Sequence, residues 1–212
     1  MTTLAWVLFG VACAFAVVDW CAVAARRKPV EYVCKPAAAL VFLACALVLE
    51  PTYTDVRMWF AVALVFCAVG DTFLMLPRNA FVPGLGAFLV AQACFAVGFA
   101  LTHPDATDLL IGIVVVLAVS LPLAARTARA LQRAGRDALV PPVLAYVGAI
   151  SAMVATAIGS GIAVGIAGAA LFFVSDALIA DYRFVTPRSW GPIAIIVTYH
   201  LALGGLVLSL TA

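Results

Sequence analysis

Long apolar runs separated by short charged clusters follow one another along this chain. Eight of them stand out, over residues 4–25, 36–49, 58–76, 81–102, 109–125, 140–158, 162–180 and 191–210. A helix needs about 20 mostly apolar residues to cross a bilayer, and seven of the runs are close to that length. The second run is short, and its helix should begin nearer Tyr32 than Pro36. The pattern predicts an all-α polytopic membrane protein of eight transmembrane helices. It forms one transmembrane domain over residues 1–212.

Composition agrees with this and removes alternatives. The chain is 67% hydrophobic and 10% charged over 212 residues, with a mean hydropathy of +1.20. Ordinary soluble domains are about 45–50% apolar and about 25% charged. A chain this apolar has too few polar groups to cover its own surface in water. Disorder requires the opposite composition. A net charge of +2 without a concentrated basic face gives nucleic acid no electrostatic footprint. The six cysteines lie in or next to the runs with no CxxC or zinc spacing, and are read as small apolar packing residues.

Charge sets an expected orientation. The first run lacks the basic segment that precedes the core of a cleavable signal peptide; Arg26, Arg27 and Lys28 follow it instead. Together with Lys35 they fall between runs 1 and 2. Arg78 lies between runs 3 and 4, Arg126, Arg129, Arg133 and Arg136 between 5 and 6, and Arg183 and Arg188 between 7 and 8. Eleven of the twelve basic residues thus occupy loops on one side, and only Arg57 lies on the other. The positive-inside rule makes that side cytoplasmic. Both termini are then expected outside.

A shift of 105 residues aligns Lys28 with Arg133, Pro36 with Pro141, Val69 with Val174, Asp71 with Asp176 and Arg78 with Arg183. Halves 1–105 and 106–212 would each contain four spans and form a parallel repeat. Chance similarity in a low-complexity apolar chain is the alternative.

Ionisable residues inside spans point to function by default, because inserting each costs on the order of 2.5–3.5 kcal/mol. Asp19, Asp71, Asp176 and His200 are such residues, accompanied by Gln92, Tyr146, Ser175 and Tyr199. At about 1.5 Å per residue, the three aspartates sit roughly 6–9 Å inside the cytoplasmic boundary. The tyrosines and His200 enter from the same boundary on even spans, and Lys35 stands at the mouth of span 2. One polar layer in the cytoplasmic half results. Asp19 has a structural alternative, snorkelling or pairing with Arg26. Asp71 and Asp176 have no basic residue within one turn, and each follows a small residue that allows close helix approach. Ser175 reads as a helix-packing residue.

The ordered segments around these residues resemble the YhhN-type lysoplasmalogenase family of eight-span membrane proteins. Lys35-Pro36 opens span 2, Gly70-Asp71-Thr72-Phe73-Leu74-Met75 closes span 3, and Gly86 through Gln92 opens span 4. Tyr146 and Met153 lie in span 6, Gly168 through Ser175-Asp176 closes span 7, and Thr198-Tyr199-His200 lies in span 8. Where the family often carries a His and then a Tyr in span 4, this chain has Gln92 and Phe95. The resemblance implies hydrolysis of the vinyl-ether bond of a lysoplasmalogen to a fatty aldehyde and a glycerophospho-base, with Asp71 and Asp176 as the catalytic pair. The substrate would be a lysophospholipid of the ethanolamine or choline type.

That chemistry suits the residues. It needs a general acid, an anion near an oxocarbenium ion, and a water, tasks that two carboxyls in a low-dielectric site can share, as in glycosidases. Lys35 would hold the head-group phosphate, with Arg26 or Arg27, while Tyr146, Tyr199 and His200 orient the water. No metal-ligand spacing is visible, and no cofactor is called for. Intramembrane carboxylates also suit a proton- or ion-coupled transporter. A non-catalytic lipid-binding protein, in which the aspartates only hold the bundle together, is a third reading.

Overall fold

The computed structural model describes residues 1–75 and 80–212 and is all-helical over them, with no strands. Eight helices are long and apolar enough to cross a membrane: α1 (Thr3–Ala24), α2 (Lys28–Val48), α3 (Thr54–Met75), α4 (Phe81–Ala100), α5 (Ala106–Arg133), α6 (Val140–Gly159), α7 (Ala163–Ala180) and α8 (Gly191–Ser209). Arg78 lies outside the described residues.

Local chemistry sets several boundaries. Thr2 caps α1 by accepting the Ala5 N–H at 3.1 Å. Asp105 caps α5 by accepting the N–H groups of Thr107 at 2.8 Å and Asp108 at 3.1 Å, and those donors hold its carboxyl below the usual carboxylate range. Helix α5 stops at a left-handed glycine, Gly135 (φ 65°), where the Arg136 N–H reaches back to the Leu131 carbonyl at 2.9 Å. A glycine reaches that conformation without the steric cost of a Cβ.

Two helices differ from the hydropathy reading. Helix α2 begins at Lys28, ahead of Tyr32, so Lys35 lies two turns inside it rather than at its mouth. Pro29, in the first turn, supplies a fixed φ where its missing N–H is not needed, and Lys28 pairs with Glu31 at 2.7 Å. Helix α5 runs on to Arg133, so Arg126, Arg129 and Arg133 are helical residues and not loop charges. Its 28 residues span about 42 Å at 1.5 Å per residue, longer than the hydrocarbon core. Hydropathy reports where the apolar stretch ends; backbone hydrogen bonding carries the helix beyond it.

Consecutive helices pack as hairpins, α1 with α2, α3 with α4, α5 with α6 and α7 with α8. Contacts of α2 with α3, α4 with α6, α6 with α7, and α8 with α1 and α2 close the bundle around a main buried apolar core to which every helix contributes, with a small second cluster of Phe81, Leu131 and Val143. Helix α5 stands at the rim: it packs on α6 and on the π-helical segment Asp181–Val185 that continues α7. Its outer face exposes Leu110, Val114 and Leu121, each 61% exposed, as a lipid-facing surface would. The 105-residue shift equates α1 with α5 and α8 with α4. Helix α1 packs on α8, yet among the described residues α5 makes no comparable contact with α4, and a cavity lies there instead.

Helices α7 and α8 cross at glycine. A Cβ at Gly168 would sit 2.8 Å from the Leu206 backbone nitrogen, and a Cβ at Gly205 would sit 3.0 Å from the Gly168 Cα. Backbone cannot step aside as a side chain can. Gly168→Ala is therefore expected to destabilise the protein by about 1–3 kcal/mol, read as a fall of several degrees in the thermal midpoint in detergent. Gly148→Ala, at a mid-helix position open to 4 Å, should not lower the midpoint, since alanine is the better helix former.

Candidate active site

Six helices bring polar side chains together in the half of the bundle where odd helices end and even helices begin. Asp71, near the end of α3, is fully buried. Its Oδ1 lies 3.2 Å from the Lys35 ammonium of α2, and its Oδ2 accepts the Tyr199 hydroxyl of α8 at 2.7 Å. The same ammonium stands 5.7 Å from the centre of the Tyr199 ring. Asp176, near the end of α7, accepts through Oδ2 the hydroxyl of Tyr146 from α6. Gln92 of α4 in turn donates through Nε2 to the Tyr146 oxygen at 3.3 Å. The two carboxyls interact electrostatically with Lys35 and with each other.

These two aspartates are positioned differently. Asp176 and Tyr146 line a cavity of about 900 Å³, counted with its open mouth, between α4, α5, α6 and α7. Neither Asp71 nor Lys35 is on its wall. The wall is mostly apolar, with Phe88, Ile150 and Phe173 at the deep end and Phe81 and Phe184 near the mouth. Those last two rings meet edge to face at 5.4 Å. Phe88 connects the two carboxyls. Its ring packs edge-on against Tyr199 at 5.9 Å and covers Gly70, where a Cβ would come within 2.6 Å of it. The small residue before Asp71 therefore lets a cavity-wall aromatic lie against α3.

His200 and Asp19 sit on the α1–α8 side. His200 Nδ1 accepts the indole N–H of Trp20 at 3.0 Å, and its Nε2 has no partner among the described residues. Asp19 is fully buried with both carboxyl oxygens unpartnered among them, and interacts electrostatically with Lys35 and Asp71. Ser175 donates to the Ile195 carbonyl at 3.1 Å, tying α7 to α8. The polar layer of the sequence is thus divided among the Lys35–Asp71–Tyr199 cluster, the Asp176–Tyr146–Gln92 chain on the cavity, and the Trp20–His200 pair.

Sequence reasoning did not find Trp20, Ser120, Thr127 or Arg126, which the structure places at or near these groups. For Arg126 a signal existed. Arg126, Arg129, Arg133 and Arg136 recur at three- and four-residue intervals, a spacing that fits one face of a continuing helix.

No solved structure matches the chain. Two curated relatives named lysoplasmalogenase, from Mycobacterium bovis and Mycobacterium tuberculosis, are each 35% identical over 153 residues, covering 70% of this chain and 58% of theirs. A lysoplasmalogenase from Homo sapiens is 36% identical over 142 residues, covering 66% of this chain and 58% of its own. The chain thus matches a little over half the length of these relatives. The family model described as the YhhN family matches residues 30–210, which include Lys35, Asp71, Gln92, Tyr146, Ser175, Asp176, Tyr199 and His200 but not Asp19; the chain belongs to the YhhN family.

Proposed function

We propose that this protein is an integral-membrane hydrolase that cleaves the vinyl-ether bond of a lysoplasmalogen, releasing a fatty aldehyde and a glycerophospho-base. The observation that carries this reading is a carboxyl, Asp176, on the wall of an otherwise apolar cavity of lipid-chain character. The names of the relatives support the same reaction.

The roles divide as the geometry does. Asp176 donates a proton to the β-carbon of the vinyl ether, and an oxocarbenium ion forms. Water adds to the α-carbon and returns a proton to the Asp176 carboxylate, and the resulting hemiacetal collapses to aldehyde, its hydroxyl proton passing to the leaving oxygen to give a free glycerol hydroxyl. Tyr146, steadied by Gln92, orients the Asp176 carboxyl. Asp71 is the anion behind the wall; Lys35 and Tyr199 hold its charge and position. Aligned general acid–base help of this kind contributes about 10²–10⁴ in rate. The basic clusters support a reading in which this half of the bundle faces the cytoplasm and both termini lie outside.

Purified protein in detergent micelles, supplied with a lysoplasmalogen, is expected to release fatty aldehyde with turnover. A transporter or a non-catalytic lipid-binding protein releases none, and that result would end the hydrolase reading.

A further inference from the structure

The cavity has polar groups at two levels. The deeper is Asp176 with Tyr146; the shallower is Arg126 of α5 with Asp181, the first residue of the π-helical segment. Arg126 Nη2 lies 2.7 Å from Asp181 Oδ1, and Arg188 Nη2 lies 3.8 Å from Asp181 Oδ2. The Arg126 side chain is half exposed at the mouth. A guanidinium carries five N–H donors in a planar fork suited to phosphate, so one contact with Asp181 does not use up its capacity. Arg126 is the basic residue on the cavity wall; Lys35 is buried against Asp71 off that wall, and Arg183 and Arg136 lie over the Phe81 and Phe184 rings. A π-helical turn such as the one that presents Asp181 is frequent at functional sites.

Spacing ties the two levels together. Asp176 and Asp181 are five residues apart on one continuous helical run, about 7.5 Å along its axis. In a lysoplasmalogen five single bonds separate the ether oxygen from the phosphorus, at most about 6 Å when extended. A phosphate at Arg126 therefore sets the vinyl ether beside Asp176. The chain beyond it points toward Phe173 and Ile150.

We propose that Arg126 is the phosphate-binding residue of this cavity, exchanging its contact with Asp181 for the phosphate of a lysophospholipid. The identity of the bond beside Asp176 rests on the hydrolase reading above; anion recognition can be measured without it.

The test is binding of two non-cleavable probes to the purified protein in detergent: a 1-O-alkyl lysophosphatidylethanolamine, and the matching 1-O-alkylglycerol, which lacks the phosphate. Arg126→Ala is expected to weaken binding of the phospholipid about tenfold or more and to leave the alkylglycerol unchanged, with Arg126→Lys in between. Asp181→Asn removes the competing carboxylate and keeps the guanidinium, so it should bind the phospholipid at least as tightly as the wild type. Three results would overturn the proposal: no binding of the phospholipid by the wild type, equal weakening of both probes by Arg126→Ala, or a loss in Asp181→Asn matching that in Arg126→Ala. The last two would mark the ion pair as purely structural. If phospholipid binding depends on Arg126 but no aldehyde is released from a vinyl-ether substrate, the hydrolase reading fails and the phosphate site stands. If aldehyde is released and neither binding nor turnover depends on Arg126, the reverse holds.

Discussion

Asp176→Asn is expected to reduce aldehyde release from a lysoplasmalogen by about 10²–10⁴-fold, the usual worth of a general acid. The substitution is nearly isosteric, and the asparagine carbonyl still accepts the Tyr146 hydroxyl that the carboxyl accepts now. Packing on the cavity wall is unchanged, so the variant should elute and melt as the wild type does. An amide has no acidic proton to give the β-carbon, and nothing else at that level of the cavity replaces it: Tyr146 is the neighbouring hydroxyl and is a far weaker acid than a carboxyl. Asp71→Asn should also lower turnover, by removing the buried anion near the cationic intermediate. Initial rates of aldehyde formation at saturating substrate decide the matter. Undiminished turnover in Asp176→Asn would remove the proposed mechanism, since the proton would then have another source.

Lys35→Met should be among the most destabilising single changes in the protein. The lysine side chain is 14% exposed, and Asp71 beside it is fully buried. Asp19 and Asp176 also interact electrostatically with the same ammonium, so three intramembrane carboxyls share one cation. Removing one partner of a buried ion pair typically costs about 3–5 kcal/mol, because it leaves an uncompensated charge in low dielectric. For a protein of this size each kcal/mol lowers the midpoint by about 2–4 °C, so a fall on the order of 10 °C is expected in detergent. Adding Asp71→Asn to Lys35→Met removes the stranded charge and should recover part of the loss. A double variant that melts no higher than Lys35→Met would show that the lysine acts by packing and not by charge.

Both predictions depend on facts of different kinds. That Asp71, Asp176, Lys35, Tyr146 and Tyr199 share one half of the membrane follows from counting residues inward from charged boundaries, because a helix converts sequence distance into depth at a constant rise. The count is robust even where a boundary moves: α2 begins earlier than its apolar run, yet Lys35 still falls in the polar layer. It is weaker at helix ends. Arg126, counted as a loop charge, is a helical residue at the cavity mouth, because hydropathy tracks transfer into lipid while the helix is held by its backbone hydrogen bonds up to Gly135.

By itself, the sequence determined that this is an eight-helix membrane protein and how far along its helix each polar residue lies. These are one-dimensional properties, set by the cost of placing each residue at a given height in the bilayer. The tertiary structure alone decided that Asp71 pairs with Lys35 and Tyr199 behind the wall, that Asp176 faces the cavity beside Tyr146, and that α5 stands off α4 to leave that cavity open. Azimuth and helix neighbours depend on how side chains from distant segments pack. Gly70 under the Phe88 ring and Gly168 against the α8 backbone show how small the deciding contacts are, and the spacing along one helix holds no information about the surface of another.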